Sequence, residues 1–193
     1  MEADLQKELI RKSMHLFIGS AFAALIYFGF LSALSLSIFF IISLSLMFFI
    51  HKTKKRIPLI TDILDVVSRD KEFPGYGALT LIFGILLSMV LFSKDIAVAS
   101  ILILSIGDAV SPIIGMHFGK TKTKLSKTKL LEGVIAGTLL SFIVVIPLVG
   151  YTLAFFGATI SMLLEFWDET SFIDDNLLIP LVAGTVMTII NLI

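Results

Sequence analysis

Apolar residues fall into seven blocks, at roughly 14–31, 34–50, 76–93, 96–116, 130–148, 150–165 and 177–193. Blocks of about 20 such residues match a bilayer core of about 30 Å at 1.5 Å per helical residue. The second, sixth and seventh blocks are short by that measure and need flanking residues. Runs such as Ile38 to Ile42 lack the apolar/polar alternation of a membrane β-barrel strand. The pattern therefore predicts an all-α fold, a polytopic membrane bundle of about seven transmembrane helices, with 1–193 forming a single domain. The stretch from Phe73 through Gly77 reads as a turn into the third helix.

The polar segments between blocks alternate in length. Short turns follow the first, third and fifth blocks, and longer connections at 51–75, 117–129 and 166–176 follow the second, fourth and sixth. The longer connections and the N-terminal segment then share one side. That side holds every Lys and Arg except Lys94, so the positive-inside rule places it, and the N-terminus, in the cytoplasm. All acids except Asp95 lie there too, which topology alone does not require, although polar loops explain part of it.

Composition narrows the function. The chain is 57% hydrophobic with a mean hydropathy of +1.02, above the ~45–50% apolar content of soluble domains. Zero formal net charge offers nucleic acid no bulk attraction. The absence of cysteine excludes disulfides and thiolate metal sites. Glu2, Asp4 and Glu8 put acid where a signal peptide is basic, so the first block is expected to be a mature helix.

Several polar residues sit where an apolar helix would exclude them. Asp108 lies about twelve residues into the fourth block. A carboxylate at depth costs about 2.5–3.5 kcal/mol unless it is paired, metal-bound or facing water. Gly107 and Pro112 flank it. Glu8, Arg11, Lys12 and His15 share one face of the first helix. Gly115 and Gly119, like Gly133 and Gly137, have the spacing of close helix packing. The first pair also adjoins Lys120, where bare backbone suits a phosphate. The run Gly115 to Thr121 is not a P-loop: three residues, not four, separate its glycines. Lys120, Lys122, Lys124, Lys127 and Lys129 crowd one loop that calls for an anion, either nucleotide phosphate or lipid headgroup. Glu132 stands at a helix N-terminus with a hard-cation ligand to offer. Asp174, Asp175 and Asn176 suit either an N-cap or a metal.

Four motifs in this order resemble a known family: Glu8-x-x-Arg11-Lys12-x-x-His15, Gly107-Asp108-Ala109-x5-Gly115-x-x-Phe118-Gly119-Lys120, Lys129-x-x-Glu132-Gly133-x-x-Ala136-Gly137, and Asp175-Asn176-Leu177-x-Ile179-Pro180-Leu181. They are similar to the polyprenol kinase family, which includes dolichol kinase, phytol kinase and CTP-dependent diacylglycerol kinase. The motifs cover about a third of the chain. Leu130 departs from the Ser or Thr expected after the Lys, and Asp174 stands where Asn is common.

The resemblance implies a transmembrane lipid kinase that moves the γ-phosphoryl group of CTP to a lipid alcohol with Mg²⁺. The partners implied are a nucleotide triphosphate, the alcohol and membrane lipid, and the arrangement is compatible with a homo-oligomer. Asp108, Lys120, Glu132 and Asp175 are the expected catalytic set, with Asp108, Glu132 and Asp175 on the metal. Arg11, Lys12, His15, Gly115, Gly119, Lys129 and Asn176 are expected to hold the nucleotide. Two alternatives stay open: cytidylyl transfer to a phospholipid, and a small ion-coupled transporter using Asp108.

Overall fold

A computed structural model describes residues 2–58, 61, 75–122, 126, 129–167 and 174–193, with side chains from Leu9 onward except Trp167. Its elements are α1 (Glu2–Tyr27), α2 (Ala33–Thr53), α3 (Tyr76–Leu91), α4 (Lys94–Phe118), α5 (Leu131–Trp167) and α6 (Asp175–Asn191). No strand occurs among the described residues. Four helical stretches are long and apolar enough to cross a membrane: Leu9–Tyr27, Ala33–Thr53, Lys94–Phe118 and Leu131–Phe166. Helices α3 and α6 are shorter apolar helices of 16 and 17 residues. Phe73 and Pro74 lie outside the described residues, as do Arg69, Lys71, Lys124 and Lys127.

Local chemistry sets the helix ends. A reciprocal serine box opens α2: Ser35 N–H donates to Ser32 Oγ at 3.2 Å, and Ser32 N–H to Ser35 Oγ at 3.0 Å. The helix stops at Lys54, a left-handed residue whose N–H returns to Ile50 O.

Helix α5 runs for 37 residues, about 55 Å if straight, and it is not straight. Gly150 adopts φ 80° and ψ 171°, a region open essentially to glycine alone. Phe142 and Phe155 would stand about 20 Å apart on a straight helix, yet their rings meet edge-on at 6.1 Å. The chain therefore reverses at Gly150. Segments α5a (131–149) and α5b (151–167) form an antiparallel hairpin, with the turn where the fifth and sixth apolar blocks divide.

The central post is α4. Within its apolar window 78% of residues are buried, against 17% for α2, so α4 packs on helices while α2 sits at the periphery. Two seams of small residues bring its neighbours close. A Cβ on Gly137 would stand 2.7 Å from Gly107 O, and one on Gly133 would press on Ser111 O and the Gly115 backbone. A Cβ on Gly19 of α1 would overlap the Ser105 hydroxyl of α4. Such close backbone approach is how apolar helices associate where lipid removes the hydrophobic drive. Leu36, Ile85, Ile101, Ile103, Leu104, Ile179 and Met187 fill the core. Phe17, Leu34, Ile41, Phe48, Ile143 and Tyr151 are exposed, a distribution suited to acyl chains. With these contacts, the start of α1, the ends of α2, α4 and α5b, and the starts of α3, α5a and α6 share one end of the bundle.

Candidate functional site

At that end, Asp108 of α4, Glu165 of α5b and Asp175 of α6 each bring a carboxylate oxygen within 4.8 Å of the others. Asp108 is 3% exposed and Glu165 2%, whereas the Asp175 side chain is 34% exposed and opens the cluster outward. Two ammonium groups meet the acids. Lys12 of α1 pairs with Asp108. Lys129, just before α5, lies 2.5 Å from Glu165 Oε1, 3.3 Å from Glu165 O and 3.6 Å from Asp175 Oδ2. Burial pushes the Lys129 ammonium pKa down, but Glu165 and then Asp175 outweigh it, so the net shift is upward. Five charges at this depth are tolerable only because they meet each other.

Each side chain is placed by the helix that carries it. On α1 the buried residues are Lys12, His15, Gly19, Ala23 and Ile26, a helical stripe laid along α4. On α5b, Ala158, Ser161, Met162 and Glu165 are buried while Leu163 and Leu164 are exposed, so the same periodicity turns Glu165 inward. Asp108 follows Gly107, whose carbonyl lies against Gly137. Asp175 is set by its neighbours. Asp174 Oδ1 accepts from Asn176 N–H at 3.0 Å and from the Thr80 hydroxyl at 3.2 Å. Asn176 Nδ2 donates to Gly77 O at 3.2 Å and Thr80 Oγ1 at 3.0 Å. This network ties α6 to α3.

The structure thus brings Lys12, Asp108, Lys129 and Asp175 together. It disposes of other expected residues differently. Glu132, expected on the metal, is not in the cluster. Its carboxylate turns back to Thr121, accepting from the backbone N–H at 3.0 and 3.2 Å and from the hydroxyl at 2.7 Å. With Leu131 N–H bonded to Thr121 O at 3.2 Å, Glu132 clasps the base of the lysine loop. Gly115 lies against Leu130 and Gly133, and Gly119 against Leu130, the close packing that their spacing suits. The Asn176 amide is spent on α3. Lys120 is exposed on the loop and Arg11 is half-buried. His15 is buried, and neither ring nitrogen has a hydrogen-bond partner. Glu165 is the acid that sequence reasoning missed. The signal was present, since Glu165 interrupts the apolar run Ser161 to Trp167 much as Asp108 interrupts its own.

No protein-family model matches the chain, and no solved structure matches it. Two relatives align along most of its length. The uncharacterized protein MJ1137 of Methanocaldococcus jannaschii is 33% identical over 186 residues, covering 94% of this chain and 93% of the relative. The uncharacterized protein RP860 of Rickettsia prowazekii is 30% identical over 162 residues, covering 77% and 78%. The chain belongs to the family of these two proteins. Part of it is also similar to named kinases. CTP-dependent diacylglycerol kinase 1 of Saccharomyces cerevisiae is 38% identical over 69 residues, which is 35% of this chain and 24% of the kinase. The enzyme of the same name from Eremothecium gossypii is 29% identical over 94 residues, 48% of this chain and 30% of the kinase. Part of this chain is therefore similar to CTP-dependent kinases.

Proposed function

We propose that the chain is an integral membrane kinase that transfers the γ-phosphoryl group of CTP to the hydroxyl of a lipid alcohol. The observation that carries this reading is the cluster of Asp108, Glu165 and Asp175 with Lys12 and Lys129 at one end of an apolar bundle. Partial similarity to CTP-dependent diacylglycerol kinases supports it. In this reading the whole of 1–193 acts as one domain, all seven helical segments cross the bilayer, and the charged end faces the cytoplasm.

The donor set is three carboxylate oxygens with no nitrogen or sulfur ligand, which fits a hard divalent cation such as Mg²⁺. Asp108, Glu165 and Asp175 would hold that ion, which would supply charge neutralisation for a triphosphate. Phosphoryl transfer asks the protein mainly for positioning and electrostatics. Lys12 and Lys129 are already desolvated and aimed at the cluster, and they exchange carboxylate for phosphate oxygens when the nucleotide enters. Arg11 adds a further cation from α1, and exposed Lys120 gathers the nucleotide from solution. The alcohol enters from the bilayer with its tail still in lipid. Its oxygen bonds to the γ-phosphorus as the bond to the β–γ bridging oxygen breaks and CDP departs. A carboxylate of the cluster takes the hydroxyl proton.

The test is a detergent assay with labelled CTP and a panel of a polyprenol, a shorter isoprenoid alcohol and diacylglycerol. Expected are CDP and one lipid phosphate from the wild-type chain, and neither from Asp108→Asn protein that still inserts. Pyrophosphate with a CDP-lipid would mean cytidylyl transfer instead. Ion flux in proteoliposomes without nucleotide would mean transport, and near-normal turnover in Asp108→Asn would remove the acid from the chemistry.

A further inference from the structure

We infer that His15 holds the hydroxyl of the lipid alcohol, an assignment that rests on the lipid kinase reading above. Among the described residues, its two ring nitrogens are the buried side-chain polar atoms left with no hydrogen-bond partner, and the residue is only 8% exposed. Proteins rarely bury such groups unpaired. An imidazole left open at a charged cluster therefore points to a ligand that completes it.

Position identifies which ligand. His15 follows Lys12 by three residues on the buried stripe of α1, about 4.5 Å deeper into the bundle. Lys12 and Asp108 form the level above it. One turn below, Gly19 packs so tightly on Ser105 that a methyl group would overlap the serine hydroxyl. The imidazole is thus the floor of the polar end, with packed apolar helix beneath it. One turn on from it along α1, on the same side of the helix, Ile18 is 39% exposed, on the surface where an acyl or prenyl tail would lie. A nucleotide arriving from the aqueous end meets Asp175, Lys129 and Arg11 before it reaches this level. An alcohol arriving from the bilayer carries its one polar atom to it.

The chemistry agrees. Phosphate oxygens only accept hydrogen bonds, and Lys12 and Lys129 already provide donors for them. A hydroxyl both donates and accepts, so it pairs with either nitrogen of a neutral imidazole and brings no charge into the apolar layer. Held there, it lies one helical turn from Asp108, beside the place where the γ-phosphate is expected.

The experiment measures binding and turnover separately. Full-length protein in detergent, without nucleotide, is titrated with the alcohol and with its methyl ether, and bound lipid is read by native mass spectrometry. The wild-type chain should prefer the alcohol about tenfold, the worth of one hydrogen bond. His15→Phe should erase that preference and raise the KM for the alcohol by about the same factor, with the KM for CTP unchanged. If His15→Phe fails to fold, ¹⁵N-histidine spectra of the wild-type chain decide: the alcohol should shift a ring-nitrogen resonance of His15 and the ether should not. Parallel loss of CTP affinity in His15→Phe would make His15 a phosphate contact and overturn the inference. So would an alcohol preference that survives the substitution, or a His15 resonance indifferent to the alcohol. If the wild-type chain binds the alcohol through His15 but forms no lipid phosphate, the kinase reading falls while this assignment stands. If it forms lipid phosphate and His15→Phe leaves the alcohol KM unchanged, the reverse holds.

Discussion

Removing one or both members of the Lys12–Asp108 pair separates what those charges do for stability from what they do for chemistry. Their side chains are 11% and 4% exposed, so the pair is a buried one. Taking one partner from a buried pair costs about 3–5 kcal/mol, because the other charge is stranded, while replacing both with apolar residues is often neutral or stabilising. An exposed pair would lose less than about 1 kcal/mol. For a chain of this length each kcal/mol moves the melting temperature by about 2–4 °C. Asp108→Asn should therefore melt roughly 6–20 °C below the wild-type chain. The double variant Lys12→Met/Asp108→Leu should recover most of it. Neither protein should turn over. Thermal unfolding in one detergent, alongside the labelled-CTP assay, gives both readouts. An Asp108→Asn protein melting within about 2 °C of wild type would show that the pair is not buried in the working protein. A double variant that still phosphorylates would show that the charges serve the fold and not the reaction.

Three further substitutions test the architecture around the cluster. Gly137→Ala places a methyl group 2.7 Å from Gly107 O, so α5a must back away from α4; a loss of about 1–3 kcal/mol and a fall in turnover of up to about 100-fold are expected, read by melting and by kcat. Glu132→Ala should raise the KM for CTP by no more than about fivefold and leave the dependence on Mg²⁺ unchanged, because that carboxylate clasps Thr121; a lost metal dependence would return Glu132 to the cluster. Lys129 has a pKa raised above 10.5, so its pairing stabilises the fold throughout neutral pH and is lost only as pH rises through that raised value. The advantage of wild type over Lys129→Met in melting temperature should persist to about pH 9.5 and shrink only in stronger alkali.

Much of the helical framework was legible in the apolar blocks, and the exceptions have physical causes. The first block reads as 14–31, but α1 extends back to Glu2 because its charged residues are themselves helix formers. It ends at Tyr27 because Gly29 takes φ 79°. The break between the fifth and sixth blocks is Gly150. What hydropathy could not rank is which helix stands at the centre, since α2 is as apolar as α4 and much less buried. The hint lay in small residues: Gly107, Ser111 and Gly115 recur every four positions, and such a stripe admits backbone where larger side chains would hold it off.

The site was legible for two of its three carboxylates, and Glu132 and Glu165 make plain why the third was not. Both are glutamates at the ends of an apolar block, and both flank the same hairpin. Sequence reasoning favoured Glu132 because it begins a helix near the lysines, where the dipole welcomes an acid. That argument is local, and locality led the side chain to the nearest donor, Thr121. Glu165 gains its role from reversal at Gly150, which returns residue 165 to residue 129 across 36 positions and closes a 2.5 Å ion pair. Burial separates the two glutamates: Glu165 is 2% exposed and Glu132 is only half-buried. An acid inside an apolar run needs a partner wherever the chain can supply one, and Asp108 met that need with Lys12 from 96 residues away. The same demand, applied to Ser161 through Trp167, singles out Glu165 as an acid that must find a cation from another helix. If Glu165→Gln binds Mn²⁺ as tightly as the wild-type chain does, measured by electron paramagnetic resonance without nucleotide, the acid serves only to seat Lys129. If Mn²⁺ affinity falls together with that of Asp108→Asn, the two act as one ligand set.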